Sequence, residues 1–106
     1  MTQFDSREKS FEKKFEMDEE REFKVLTRAA RLFGLWAAEQ MGFKGLDAET
    51  YAGQAVDSVM ARLGEVELVI KIEKDLLAKG IALTRHRLEK EMEGFYQAAQ
   101  EQVGGA

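Results

Sequence analysis

The chain has 106 residues, of which 44% are hydrophobic and 34% charged, and its formal net charge at pH 7 is −4. It contains no cysteine, which excludes disulfides, thiol catalysis and thiolate metal sites. The negative charge argues against general binding to nucleic acid, because phosphate backbones attract positive charge. The length predicts one folded domain, and the lack of proline together with many helix-forming residues predicts an all-α protein.

The sequence gives no sign of a membrane segment or a leader. No stretch approaches the roughly 20 apolar residues that a transmembrane helix needs. The opening residues, MTQFDSREK, lack the apolar stretch of a signal peptide. We therefore expect a cytoplasmic protein without direct membrane insertion.

Residues 1–17 are crowded with charge but include Phe4, Phe11 and Phe15. On a helix these rings would project within about 40° of one another, forming one aromatic stripe that meets acidic residues further along the chain. An isolated helix of about 15 residues is marginal in water. We predict a flexible or transiently helical N-terminal arm at 1–17 that becomes helical when a partner covers the stripe. The spacing equally allows the stripe to fold back on the bundle or to pair with a second copy as a dimer seam.

The first core helix is predicted at about 18–42, within a bundle domain of residues 18–106. Acidic residues in its first turn favour the positive end of the helix dipole, and Gly42 ends it. Its apolar residues follow helical spacing: Val25, Leu26, Ala29, Ala30, Leu32, Phe33, Trp36, Ala37 and Met41.

The second helix is predicted at about 47–63. Asp47 is the expected N-cap, and Leu46 is expected to pack against Tyr51 as a hydrophobic staple. The predicted buried face consists of Ala52, Ala55, Val56, Val59, Met60 and Leu63.

The third segment, at about 65–79 and after a break at Gly64, is ambiguous. Its residues Val66, Leu68, Ile70 and Ile72 alternate as in a strand, whereas another set fits a helix: Val69, Ile72, Leu76 and Leu77. We favour a helix, because no other segment resembles a strand and a lone strand would leave its backbone groups unpaired.

The last helix is predicted at about 84–102, with Thr84 as its cap and with Leu83 and Leu88 in staple positions. One stripe holds its apolar residues: Leu88, Met92, Phe95, Tyr96, Ala99 and Val103. Four such helices with short loops predict a four-helix bundle. Gly34 and Gly94, inside helices, indicate either close approach of neighbouring helices or a kink.

Two stretches of the chain match a known pattern. FDSREKSFEKKFEMDEEREFK, followed by LFGLWAAEQMG, closely resembles the zeta inhibitor of F-type ATP synthases in alphaproteobacteria, a small four-helix family. The resemblance is strongest from Phe4 to Gly42 and looser over EKDLLAKGIALTRHRLEKEME.

The resemblance implies an inhibitor of ATP hydrolysis whose partners are the catalytic head and the central stalk of the ATP synthase. The arm would insert at a catalytic interface near the rotating stalk while the bundle docks outside. The residues that would contact the partner are Phe4, Arg7, Glu8, Lys9, Phe11, Lys13, Lys14 and Phe15. The protein would then lie at the inner membrane only through the ATP synthase.

Other sites have weaker support in the sequence. His86 is the only histidine and is expected to be exposed, and no GxxxxGK[ST] or GxGxxG motif occurs. We expect no enzyme activity, cofactor or metal, and leave open whether a nucleotide binds between bundle helices. The alternatives are a homodimeric helical adaptor or structural protein, with the aromatic stripe as its interface, and, more remotely, a nucleic-acid regulator using Arg85, Arg87 and Lys90.

Overall fold

The computed structural model describes residues 19–61 and 64–104. These residues form four helices: α1 (Glu19–Gln40), α2 (Leu46–Met60), α3 (Gly64–Ala78) and α4 (Arg85–Gly104). No strand occurs within the described ranges. The predicted all-α four-helix bundle is confirmed, as is the helical assignment of the third segment.

One hydrophobic core joins the four helices. Five large side chains are less than 2% exposed. Phe33 comes from α1, Leu88 comes from α4, and the other three come from α3: Leu68, Ile72 and Leu76. Burial of each such side chain contributes on the order of 1.5 to 3 kcal/mol. Trp36 and Phe95 pack at the edge of this core, with ring centroids 6.0 and 6.1 Å from that of Phe33. The apolar stripes predicted on α1 and α4 therefore face the core.

The contact between α1 and α2 is unusually close at Gly34. A Cβ atom at this position would lie 2.9 Å from both Ala52 Cα and Ala55 Cβ. Only glycine fits without a shift of the α2 backbone, so the interpretation of Gly34 as a close-approach site is confirmed. For Gly94 that interpretation is wrong, because a Cβ there would have no described atom within 4 Å.

The ends of the helices follow local sequence signals in part. Gly42 has φ +83°, and the Phe43 N–H donates to Ala38 O at 2.9 Å, which ends α1 as predicted. Thr84 Oγ1 accepts the Arg87 N–H at 3.1 Å, so the predicted cap of α4 is confirmed. Gly64, the predicted break, is the first residue of α3 and has φ +80°.

The predicted N-cap and hydrophobic staple of α2 are wrong. The helix begins at Leu46, its N-cap is Gly45 at φ +57°, and no side chain caps it. Leu46 is 81% exposed and therefore does not act as a staple for Tyr51. Glycine can adopt this backbone conformation at little cost, which lets the helix start before Asp47.

Two residues assigned to the core lie at the surface. Met60 is 54% exposed at the end of α2, and Leu77 is 60% exposed on α3. Leu77 follows Leu76 by about 100° around the helix, which carries it off the buried face. Leu63 lies outside the described residues.

We expect opposite effects from alanine at the two helical glycines. Gly34→Ala should lower the free energy of unfolding by about 1 kcal/mol or more, because the clash with α2 outweighs the gain of about 1 kcal/mol in helix propensity. Gly94→Ala, which meets no described neighbour, should raise it by up to about 1 kcal/mol. Urea unfolding of both variants beside the wild type measures the difference, and a stabilised Gly34→Ala would contradict the close packing.

Candidate functional site

The predicted partner-binding residues lie outside the part of the chain that the structure describes. These residues are Phe4, Arg7, Glu8, Lys9, Phe11, Lys13, Lys14 and Phe15. The described region starts at Glu19, two residues after the predicted arm ends at residue 17.

A hydrogen bond ties the first turn of α1 to the middle of α4. Tyr96 Oη donates to Glu22 Oε2 at 2.6 Å. Burial, this hydrogen bond and the negative charges of Glu22 and Glu65 raise the pKa of Tyr96 far above its ordinary value of 10.0. Tyr96 is therefore a neutral donor at physiological pH, and it anchors the residues that follow the predicted arm.

Phe95, the neighbour of Tyr96, contacts a different part of α1. Its ring centroid lies 6.3 Å from that of Trp36, fourteen positions beyond Glu22 in the sequence. At ~1.5 Å per residue these two positions are about 21 Å apart along the helix. The pair Phe95 and Tyr96 thus connects α4 to both halves of α1.

A groove of about 480 Å³ runs between α3 and α4 beside Tyr96. Its apolar lining comes from Val66, Val69 and Met92. Three exposed carboxylates stand around it: Glu65, Glu89 and Glu93. A groove with an apolar floor and negative edges would suit a helix that has apolar side chains on one face and positive charges beside them.

A second groove, of about 440 Å³, lies where the loop after α1 meets α2 and α3. Tyr51 Oη donates to Asp75 Oδ2 at 2.6 Å, and Lys71 Nζ lies 2.8 Å from the same oxygen. Lys71 Nζ also stands 5.2 Å from the centre of the Tyr51 ring. Because Asp75 already accepts from two donors, this cluster acts as a polar clamp between α2 and α3.

The clamp changes the acidity of Tyr51. Burial raises the pKa of its hydroxyl far above 10.0, and the hydrogen bond to Asp75 and the charge of that carboxylate add to the rise. The hydroxyl therefore stays protonated at neutral pH, so its role here is donation of a hydrogen bond rather than proton transfer.

The other residues considered from the sequence lie at the surface. His86 is exposed in the first turn of α4. Arg85 Nη2 pairs with Glu73 at 2.9 Å and Arg87 Nε with Glu91 at 3.0 Å, so carboxylates neutralise most of this basic cluster.

The described residues form neither a metal site nor a membrane-spanning helix. Within 19–61 and 64–104, no group of three or more His, Cys, Asp or Glu side chains could hold a metal ion. None of the four helices is long and apolar enough to cross a membrane. No charged side chain in the same ranges is buried.

Sequence reasoning missed both tyrosine contacts. The pairs Tyr51 with Asp75 and Tyr96 with Glu22 join residues 24 and 74 positions apart. No local spacing connects such partners. A signal for the groove did exist, since helical spacing places Val66 off the core face of α3, and Val66 lines the groove.

The fold and these surfaces define a small helical protein whose described features are two surface grooves and two contacts between a tyrosine and a carboxylate. Comparison with family models identifies it further: the model of ATPase inhibitor subunit zeta matches residues 1–102, and the chain belongs to that family. The resemblance seen in the sequence is thereby confirmed. Comparisons with curated proteins and with solved structures gave no match.

We expect Tyr51→Phe to lower the free energy of unfolding by about 1 kcal/mol, the usual value of one hydrogen bond. Asp75 keeps its contact with Lys71 in this variant, which limits the loss. Thermal and urea unfolding at pH 7 measure the change. An unaltered stability would show that the Tyr51 hydroxyl contributes nothing to the contact between α2 and α3.

The two raised pKa values also predict loss of stability at high pH. A tyrosine whose pKa is raised by folding stabilises the fold fully below its unfolded value, near pH 10, and this contribution disappears as the pH rises towards the folded value. The free energy of unfolding should therefore fall above about pH 10 in the wild type. It should fall less steeply in a variant with both Tyr51→Phe and Tyr96→Phe, and equal slopes would contradict the assignment.

Proposed function

We propose that this protein inhibits ATP hydrolysis by the F-type ATP synthase, and that residues 1–17 carry the inhibition. Membership of the ATPase inhibitor subunit zeta family is the observation that supports this function most strongly. The match starts at residue 1, so it includes the charged segment that contains Phe4, Phe11 and Phe15. The description of the family as an inhibitor subunit favours regulation by binding over catalysis.

In this proposal the arm folds as a helix into a catalytic interface of the ATPase head, beside the central stalk, and blocks rotation. Phe4, Phe11 and Phe15 fill apolar pockets of the partner. Full burial of three such rings would contribute on the order of 5 to 9 kcal/mol, from which the cost of ordering the arm must be subtracted. Charge pairs at the rim set the register through Arg7, Glu8, Lys9, Lys13 and Lys14.

The bundle supplies a folded base for the arm. Its core draws on residues from Val25 to Val103, and Tyr96 holds the first turn of α1 through Glu22. A rigid base close to the arm reduces the freedom that the arm loses on binding, which favours affinity. The bundle itself would remain outside the interface, and the protein would reach the membrane surface only through the ATP synthase.

Truncation tests the function and the site together. Removal of residues 1–17 should abolish inhibition of ATP hydrolysis by a cognate ATP synthase. It should leave helicity and cooperative unfolding in place, because the described core starts at Val25. Circular dichroism of the truncated protein serves as the control, and inhibition equal to that of the full chain would exclude the arm mechanism.

A pair of phenylalanine variants separates the arm from the bundle. Phe11→Ala should weaken inhibition by tenfold or more, since loss of an aromatic anchor at an interface costs about 2 kcal/mol or more. Phe23→Ala is the matched control, because Phe23 is 50% exposed on α1 and lies outside the predicted arm. Concentration curves for inhibition of hydrolysis compare the two, and similar losses would argue against a special role of the arm stripe.

A further inference from the structure

Helix α3 has apolar side chains on two faces. One face enters the core through Leu68, Ile72 and Leu76, which are fully buried. The other, the outer stripe, consists of Val66, Ile70 and Leu77, which project within about 40° of one another at 100° per residue. Val66 is 65% and Leu77 60% exposed, while Ile70 is partly buried.

The outer stripe borders the groove between α3 and α4. Val66 belongs to both, and the rim carboxylates Glu65, Glu89 and Glu93 lie beside it. No described residue covers this combined surface. Its shape and charge fit an amphipathic helix that has an apolar ridge and a basic flank.

We infer that this surface binds residues 1–18 of the same chain. The stripe from Phe4 to Phe15 and the outer stripe from Val66 to Leu77 each span eleven positions, about 16 Å on a helix. Their apolar residues are therefore matched in length. Such a match allows the rings of the segment to lie along α3 over its whole exposed stripe.

The charges of the segment agree with this placement. On a helix Arg7 and Lys14 lie within about 80° of the centre of the aromatic stripe, on the same side of it. That flank would face the rim carboxylates of the groove. Exposed pairs of this kind contribute little energy but select the orientation.

The connection to the bundle also permits the placement. Glu19, the first described residue, lies one turn before Glu22, whose carboxylate bonds to Tyr96 at the groove. A reversal of the chain at residues 16–18 would bring Phe15 next to Val66 and Phe4 next to Leu77. The docked segment would then run antiparallel to α3.

Docking on the bundle and insertion into the ATPase use the same three rings and exclude each other. This consequence rests on the proposed function, whereas the docking itself does not. If about nine-tenths of the molecules were docked, the apparent affinity for the ATPase would fall about tenfold. The bundle would then weaken inhibition by the N-terminal segment that is attached to it.

Paramagnetic labelling of the full chain tests the docking. The protein has no cysteine, so Ser10→Cys accepts a single nitroxide at a position off the aromatic stripe. We expect selective broadening of amide signals at residues 66–77 and 89–96. Broadening should weaken strongly in the double variant Val66→Ser with Leu77→Ser and in Glu93→Lys, and it should persist in the control Leu46→Ser, which changes an exposed leucine of α2.

Three results would overturn the inference. The first is absence of selective broadening in the labelled wild type, and the second is broadening that the α3 variants leave unchanged. The third is broadening that appears only between a labelled and an unlabelled molecule in a mixed sample, which would assign the surface to a second copy. Circular dichroism establishes that each variant remains folded.

Inhibition assays distinguish failure of the docking from failure of the proposed function. With both correct, the double variant of α3 inhibits ATP hydrolysis at several-fold lower concentration than the wild type. Selective broadening without any inhibition would contradict the function alone. Inhibition that is unchanged in the α3 variants, with no broadening in the wild type, would contradict the docking alone.

Discussion

The close approach of α1 and α2 at Gly34 is the constraint on which the rest of the bundle depends. With no side chain at this position, the backbone of α2 comes near enough for Ala52 and Ala55 to be buried completely or almost so. On the same stretch of α1, Phe33 and Trp36 pack against Phe95 of α4. A wider separation would open a gap in the core, and gaps cost stability because the lining atoms lose their contacts.

Polar contacts complete what the apolar core begins. Tyr51 and Tyr96 each place a ring against the core and a hydroxyl on a carboxylate, one linking α2 to α3 and the other α1 to α4. Both hydroxyls remain protonated at neutral pH because burial and the neighbouring negative charge oppose ionisation. The helices are thus fixed in register without a buried ion pair in the described residues.

Some apolar side chains of the chain do not belong to the core of the bundle. The bundle buries the core faces of its helices, but Val66 and Leu77 of α3 remain at the surface. The segment before α1 carries three rings that its own length cannot bury. The proposed exchange of this segment between docking on α3 and binding to the ATPase would bury both sets of apolar side chains in turn.

The sequence by itself determined the four helices, because helical periodicity, glycine stops and the Thr84 cap act over a few residues. It also indicated the family, through stretches such as GLWAAE that the whole-chain match confirms. Only the tertiary structure decided which apolar residues face water, such as Met60 and Leu77, and which tyrosine meets which carboxylate. These outcomes depend on how helices distant in sequence pack together, and local spacing does not encode that geometry.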